Sequence, residues 1–536
     1  MQLPRTIAEA ARQIESRKLS PVELTQHLLE RVSLLDPAIR AYITVTADTA
    51  LAQARAAETE IARGHYRGPL HGIPFGAKDN YETAGILTTG HSKAYADHMP
   101  GGDAAVIEKL YQSGSVLMGK LALHELAHGG PCFDLPWPPA RNPWNPEHFT
   151  GGSSSGSAAA LAADCALFTL GTDTGGSIRT PASLCGLVGF KPSFGLVSRY
   201  GVIPNCYSMD HCGPLTKTVE DCALVMESMT GYDPRDRSSV HAPQIDFRGA
   251  LRRDLKGIRI GVVRRFWEND APADQALAQA TEAALKVLAQ LGAALVEVRL
   301  PPVQAYCDVW TLIEAPETFS IQRERLATNL QSFGRVFLER TLLAALIDGA
   351  DHVDARRARS RLAADTQRAW GDCDVLVTAG AGPAPRLSPR LAAWPNVNRY
   401  TPFAMTGHPA VVVPCGFNRA GLPLSIQLVG RAFHDVELLS VAHAYEQACD
   451  VAYRQPALTG NVPAAIADEP PAYDPTRYDV ATLTACRNAA ERAGLRLGNR
   501  ELAMMCAVAP QLEEMKSRVR ALATASDEPA EVYAAK

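Results

Sequence analysis

The sequence lacks the marks of a secreted or membrane protein. Its 12 cysteines include no C-x-x-C pair, and several, such as Cys165 and Cys185, lie in apolar surroundings where cysteine behaves as a small hydrophobe. The N-terminal MQLPRTIAEAARQIE contains no signal peptide, and the apolar stretch 158–171 is interrupted by Asp164 and too short to span a bilayer. These absences predict a cytoplasmic protein with reduced thiols.

The net charge is also small, because 53 Lys and Arg side chains nearly balance 57 Asp and Glu side chains. The net charge of -4 gives no reason to expect nucleic acid or an anionic membrane as the main partner, so we expect neither. What the chain does have is 46% hydrophobic residues, which is typical of a globular protein with ample core.

Helical and strand-like patterns alternate along most of the chain. Helices are predicted at 21–35, 47–63, 105–113 and 273–291, and strands at 115–118, 257–263, 294–300, 374–378, 410–414 and 424–429. This alternation predicts an α/β fold built on a mixed, largely parallel sheet that helices cover on both faces.

The composition changes near residue 458. We predict a main domain at 1–458, a linker rich in Pro, Asp and Ala at 459–480, and a C-terminal helical extension at 481–536. The extension contains two helical patterns, 481–493 and 500–522, and Pro510 is expected to end or kink the second. It could pack on the main domain, pack on the other protomer of a homodimer, or form a solvated hairpin.

Two glycine–serine turns, 151–157 and 171–177, dominate the centre of the chain. Glycine-rich turns let the backbone approach a ligand and direct several N–H groups at one spot, which suits negative charge. Each turn borders apolar sequence, so both are expected in a packed core. Upstream, Lys78 follows the apolar run Pro74–Ala77, and a lysine in such surroundings needs a partner or a task.

Together with His71–Asn80, the stretch Thr150–Arg179 resembles the amidase signature family of serine hydrolases, and the similarity extends from about Leu24 to about Pro456. The resemblance implies one large α/β/α domain around a twisted mixed sheet. It also implies hydrolysis of the C–N bond of linear carboxylic amides to carboxylate and ammonia or amine, with a small-molecule amide as substrate and no cofactor.

The same resemblance assigns a Ser-Ser-Lys triad. Ser177 is implied to be the acylated nucleophile, Lys78 the base, and Ser153 the relay between them, held by a cis peptide that follows Gly152. Lysine can accept a proton only when neutral, which requires burial and hydrogen bonding that lower its pKa. The family usually has glycine where this chain has Ser155, which makes the first turn less supple.

The second turn is implied to stabilise the oxyanion, usually the largest electrostatic contribution in acyl transfer. The donors would be the N–H groups of Thr174, Gly175, Gly176 and Ser177. Asp173 and Arg179 are expected to support the turn and not to react. Candidates for the substrate wall in the helical region 303–371 are Tyr306, Trp310 and Phe319.

Other functions remain open at this stage. The first is the catalytic A subunit of a glutamyl-tRNA amidotransferase, with the same triad but companion proteins. The second is a zinc metalloprotease, because His124–His128 reads H-E-x-x-H, although Gly129-Gly130-Pro131 would end any helix there. Gly152–Gly156 also satisfies G-x-S-x-G, but the polar segment 141–150 before it does not read as the strand that a nucleophile elbow requires.

Overall fold

The fold is built on a mixed β-sheet whose strands come from many parts of the chain. The computed structural model describes residues 4–241, 245–249, 251, 253–392, 397–449, 451, 454–467, 472–523 and 527–528. The strands in this part are β1 (Tyr42–Val45), β2 (Pro74–Lys78), β3 (Val116–Leu121), β4 (Phe168–Asp173), β5 (Val188–Lys191), β6 (His211–Thr216), β7 (Arg259–Val262), β8 (Ala294–Glu297), β9 (Val375–Ala379), β10 (Ala410–Phe417) and β11 (Pro423–Gly430). They form one 11-stranded sheet in the order β1-β3-β2-β4-β6-β5-β10-β11-β9-β7-β8.

The sheet is mixed, as predicted, but it is not largely parallel. Parallel pairing is confined to β3–β2–β4 at one side and β9–β7–β8 at the other. The strands between them pair antiparallel, including β10 with β11, which are joined by the short connection 418–422. A connection this short permits only antiparallel pairing, whereas the alternation of helix and strand in the sequence carries no record of strand direction.

Helices flank this sheet, which confirms the predicted α/β fold. They are α1 (Ile7–Glu15), α2 (Pro21–Ile39), α3 (Ala47–Ala62), α4 (Ala105–Gln112), α5 (Ser155–Ala162), α6 (Arg179–Leu184), α7 (Val219–Met229), α8 (Gln275–Gln290), α9 (Val303–Thr328), α10 (Arg335–Thr341), α11 (Gly349–Trp370), α12 (Thr401–Met405), α13 (Asp435–Ala448), α14 (Val480–Arg492) and α15 (Asn499–Leu522). Every residue of α5 is buried, and this helix packs on β2, β3, β4 and β6. Short side chains let it lie close to the sheet.

The start of α2 shows how local sequence sets an element. The Ser20 hydroxyl accepts from the N–H groups of Val22 and Glu23 at 3.0 and 3.2 Å, and Pro21 occupies the first turn. Serine caps and a proline at this position satisfy or remove N–H groups that have no partner within the helix. The helix continues to Ile39, past its predicted end near residue 35, and contains Pro37.

The C-terminal helices α14 and α15 pack on the main domain. Buried side chains of α15, among them Met505, Leu512 and Val519, belong to the same hydrophobic cluster as residues of α9 and α11. An ion pair also joins α15 to α9, from Arg518 to Asp308 at 2.6 Å. The solvated-hairpin option is therefore excluded, and α15 continues through Pro510 instead of ending there. The predicted domain limits stay a prediction, and residues 468–471, 524–526 and 529–536 lie outside the described part.

The cysteines of the chain are free thiols, and nearly all of them are buried, in keeping with the expectation that they act as small hydrophobes. Among the helices in the described ranges, none combines the length and the apolar composition that crossing a bilayer requires.

Candidate active site

Lys78, the last residue of β2, is fully buried below the two glycine–serine turns. Its Nζ lies 2.7 Å from the Ser153 hydroxyl and 2.7 Å from the Thr172 hydroxyl. Burial lowers the pKa of Lys78 to about 7, although the nearby carboxylates of Asp210 and Asp173 act in the opposite direction. The amine is therefore neutral in a large fraction of molecules near neutral pH.

Ser153 follows a cis peptide bond from Gly152, as the resemblance implied. The close approach of His124 explains the glycine, since a Cβ on Gly152 would lie 2.0 Å from Cε1 of that ring. The imidazole of His124 is itself fixed by stacking on Phe149, with ring centroids 5.8 Å apart. Ser155, the departure from the family pattern, is buried at the start of α5 and donates to the Ala122 carbonyl at 3.4 Å.

Asp173 and Arg179 shape the second turn. Both are fully buried, and Nη2 of Arg179 lies 2.9 Å from Oδ1 of Asp173. Burial alone would raise the pKa of Asp173, but the Arg179 guanidinium outweighs it and holds the pKa below its ordinary value. Arg179 also donates to the Tyr400 carbonyl at 3.0 Å and to the Gln427 side chain at 2.7 Å. Both side chains are thus held by buried contacts, and their role as supports of the turn stays a prediction.

The expected set of oxyanion donors is reduced by one. The N–H of Gly176 donates to Oδ1 of Asp173 at 2.8 Å, so it is not available to a substrate. In the described part of the chain, the N–H groups of Thr174, Gly175 and Ser177 have no acceptor. These three groups lie at the end of β4, and their residues line one cavity.

That cavity, of about 150 Å³, brings the two turns together. Ser153 and Ser177 both line it, and the Ser154 N–H donates to the Ser177 carbonyl at 3.1 Å, which ties one turn to the other. Ser177 is partly exposed, whereas Lys78 lies behind Ser153 and does not line the cavity. The order from solvent inwards is therefore Ser177, Ser153 and Lys78.

The far wall of the cavity comes from the helical region. Trp310 on α9, one of the three candidates for the substrate wall, lines the cavity. Its indole N–H donates to the Thr174 carbonyl at 3.0 Å. Tyr306 and Phe319, the other two candidates, are buried in the helical core and do not line the cavity.

Several residues of the site were not identified from the sequence. The hydroxyl of Thr172 accepts a hydrogen bond from Lys78 Nζ. Thr172 belongs to the second glycine–serine turn, so its position in the sequence could have identified it. Glu314 and Arg340 supply charge to the cavity, and Asn205 donates to Glu314 at 3.1 Å. These three come from distant segments with no motif, so no local signal pointed to them.

The nucleophile-elbow interpretation does not fit. Ser154, its candidate nucleophile, is fully buried, and its hydroxyl donates to the Thr172 carbonyl at 3.3 Å. No strand of the sheet lies between residues 141 and 154, all of which the structure describes. The geometry that exposes a nucleophile at the end of a strand is therefore missing.

The zinc metalloprotease interpretation does not fit either, because the H-E-x-x-H segment is not an α-helix. Leu126 and Ala127 have φ values of 50° and 61°, in the left-handed region, so His124 and His128 do not share a helical face. Their Nδ1 atoms contact the Gly129 carbonyl at 3.2 Å and the Glu314 carboxylate at 2.6 Å.

Glu125, the glutamate of the H-E-x-x-H motif, is bound by residues outside the cavity. Its carboxylate accepts from the Ser92 hydroxyl at 2.6 Å and the Gly334 N–H at 2.8 Å, and it does not line the cavity. Burial raises the pKa of Glu125 to about 8. Within the described residues there is no group of three His, Cys, Asp or Glu side chains that could hold a metal ion.

The chain resembles known proteins over most of its length. The family model described as Amidase matches residues 23–439. The A subunit of the glutamyl-tRNA(Gln) amidotransferase from Moorella thermoacetica is 37% identical over 481 residues, covering 84% of this chain and 98% of that protein.

Two solved structures show the same fold. The native peptide amidase from Stenotrophomonas maltophilia matches with a TM-score of 0.74 and 31% identity, covering 84% of this chain and 98% of that one. The corresponding A subunit of the glutamyl-tRNA(Gln) amidotransferase from Thermotoga maritima matches with a TM-score of 0.70 and 30% identity, covering 88% and 100% of the two chains.

Proposed function

The chain belongs to the amidase family of enzymes acting on C–N amide bonds, and on this premise we propose that it hydrolyses a small linear amide through an acyl-enzyme on Ser177. The observation that carries the proposal is the contact of Lys78 Nζ with the Ser153 hydroxyl, 2.7 Å, behind a cavity that Ser177 also lines. A serine hydroxyl needs a base to become a nucleophile, and this arrangement supplies one.

The proposed reaction proceeds in two halves. Ser177 attacks the amide carbonyl while its proton passes to Ser153 and the Ser153 proton passes to neutral Lys78. The oxyanion is stabilised by the N–H groups of Thr174, Gly175 and Ser177. The relay returns the proton to the leaving nitrogen, ammonia or an amine departs, and water then hydrolyses the Ser177 ester by the same route, releasing the carboxylate.

The size of the cavity supports a small amide as the substrate. Its volume of about 150 Å³ is below the range of roughly 300–1,000 Å³ typical of sites for drug-sized ligands. Arg340 lines it, and a guanidinium matches a carboxylate in charge and shape. We therefore propose an amide that also carries a carboxylate group.

A second candidate is the A subunit of an amidotransferase, which would use the same acyl-enzyme to supply ammonia to a companion active site. The curated relatives favour it, since the Moorella thermoacetica protein and further relatives at 36–38% identity carry that name. Those names include a tRNA, so they do not support the expectation that nucleic acid plays no part. The solved peptide amidase favours the first candidate.

Three variants test the catalytic roles. S177A is expected to reduce amide hydrolysis to near background, and a fluorophosphonate is expected to label Ser177 in the parent chain. K78A is expected to lose about 10³-fold or more in kcat. K78R should not restore activity, because arginine stays protonated. Labelling at another serine, or an active K78R variant, contradicts the assignment.

The two candidates are separated by what the chain does alone. Ammonia release is measured from glutamine, asparagine and succinamic acid, with propionamide as the uncharged control. Rapid turnover of one of these by the chain alone supports the amidase. Slow glutaminase activity that rises when glutamyl-tRNA(Gln), ATP and the companion proteins of the Moorella thermoacetica enzyme are added supports the amidotransferase.

A further inference from the structure

A second cavity, of about 610 Å³, lies away from the cavity at Ser177, and the two share no lining residue in the described chain. Its walls come from residues 199–212, residues 235–240 and helix α11. Thr172, whose hydroxyl contacts Lys78 Nζ at 2.7 Å, also lines it. Neither the family match nor the proposed reaction gives this space a task.

Positive charge dominates the lining of this cavity. Five arginines line it against two aspartates: Arg199, Arg235, Arg237, Arg356 and Arg359 against Asp210 and Asp236. Asp210 accepts from the Thr174 hydroxyl at 2.6 Å and from two backbone N–H groups. The lining therefore carries an excess of positive charge that its own carboxylates do not balance.

Three of the arginines already have partners. Arg199 contacts Asp236 at 3.4 Å, and Arg235 donates to Glu108 at 2.6 Å. Arg359 is buried and donates to the backbone carbonyls of Met405 at 2.8 Å and Ser208 at 3.0 Å.

Arg237 and Arg356 differ from these three. Among the described residues, neither guanidinium has a carboxylate within ion-pair distance or a hydrogen-bond acceptor. They come from different parts of the chain, the loop after α7 and helix α11, yet they line the same cavity. Two positive side chains on the wall of one cavity favour the binding of an anion there.

We propose that this cavity binds a small organic phosphate of about the size of a mononucleotide. A phosphate monoester carries close to two negative charges at neutral pH and three acceptor oxygens, which suits the unpaired Arg237 and Arg356 beside buried Arg359. Inorganic phosphate would leave most of the 610 Å³ empty. The ring of Tyr207, which is 59% exposed, offers a surface on which a flat base can stack.

Calorimetric titration of the full chain tests the proposal, with AMP, inorganic phosphate, adenosine and succinate at constant ionic strength. AMP is expected to bind at one site per chain, and adenosine and succinate at least about 10-fold more weakly. R237Q and R356Q are each expected to weaken AMP binding about 10-fold or more. Y207A should weaken AMP while leaving inorganic phosphate unchanged.

Controls make the result decisive. R477Q removes an exposed arginine outside the cavity and is expected to bind AMP like the parent. R237Q is expected to keep its melting temperature and its amide hydrolysis, so failure here is distinct from failure of the proposed function. No saturation by AMP at about 10 mM, or equal affinity in R237Q and R356Q to that of the parent, overturns the proposal. Succinate binding as tightly as AMP overturns the phosphate assignment.

Discussion

Arg179 donates two hydrogen bonds to the carboxylate of Asp173, from Nε to Oδ2 and from Nη2 to Oδ1, and each measures 2.9 Å. Both side chains are fully buried. The same carboxylate accepts from the N–H groups of Gly176 at 2.8 Å and Ile178 at 3.2 Å. One buried ion pair therefore sets the backbone on both sides of Ser177. It also removes the Gly176 N–H from the oxyanion donors.

Removing half of this pair is expected to destabilise the protein. D173N leaves Arg179 charged and buried without its counter-ion, which typically costs about 3–5 kcal/mol. Urea unfolding measures the change, and activity should fall with it because the turn at Ser177 loses its anchor. D474N, in an exposed pair with Arg477, serves as control and should change stability by less than about 0.5 kcal/mol. Equal effects of the two variants would contradict a structural role for Asp173.

Activity is expected to rise with pH through the ionisation of Lys78. Burial lowers the pKa of this amine to about 7, so below that pH it is protonated and cannot accept a proton. The kcat profile should therefore climb near pH 7 and level off on the alkaline side. A kcat that stays constant from about pH 5.5 to about pH 9 would show that Lys78 is not the base.

The same pKa predicts how stability depends on pH. The unfolded chain has an ordinary lysine of pKa about 10.4, so between pH 7 and 10 it binds the proton that folded Lys78 has lost. The unfolding free energy contributed by Lys78 therefore increases with pH in this window. Relative to K78M, the parent should gain about 1.4 kcal/mol per pH unit. A pH-independent difference between the two would contradict the lowered pKa.

Gly152 and His124 are expected to be energetically coupled. In G152A, the new Cβ would meet the imidazole at 2.0 Å, so the variant should be destabilised by about 2 kcal/mol or more. H124A removes the obstacle, and G152A/H124A should be less unstable than the sum of the single variants. Thermal unfolding of the four proteins completes the cycle, and strict additivity would rule out the proposed contact.

Trp310 is expected to act through the turn that it holds. W310F keeps most of the ring but loses the hydrogen bond to the Thr174 carbonyl, so kcat should fall about 10-fold. Y306F is the matched control on the same helix, since Tyr306 contacts the Thr366 hydroxyl away from the cavity. It should lose stability but keep kcat. A parent-like kcat in W310F would show that the Thr174 contact is dispensable.

The C-terminal hairpin is expected to stabilise the main domain. M505D places a charge in the core shared with α9 and α11, where Met505 is fully buried, and should lower the melting temperature of the whole chain. V480D, at a position that is 79% exposed, should have little effect. A single cooperative transition that shifts in M505D is the expected result, and an unchanged main transition would indicate an independent hairpin.

The sequence predicted those elements well whose residues all lie in one continuous segment. The helix at 47–62 begins at the predicted residue and ends within one residue of the predicted end, and the buried run at 74–78 is strand β2. Both glycine–serine turns lie in the packed core, as their apolar flanks indicated, and residues of both line one cavity. Glu314 and Arg340 could not be found in this way, because only folding brings their helices to the turns.

By itself, the sequence determined the family and the α/β class and predicted the two serines and the lysine of the site, because these depend on local spacing, turn residues and burial patterns. The tertiary structure decided the remainder. Strand direction depends on how strands from distant segments pair, and the pKa of Lys78 depends on the burial that these segments create together. The Gly176 N–H illustrates the difference: its position was readable in the sequence, but only the folded turn shows that Asp173 already binds it.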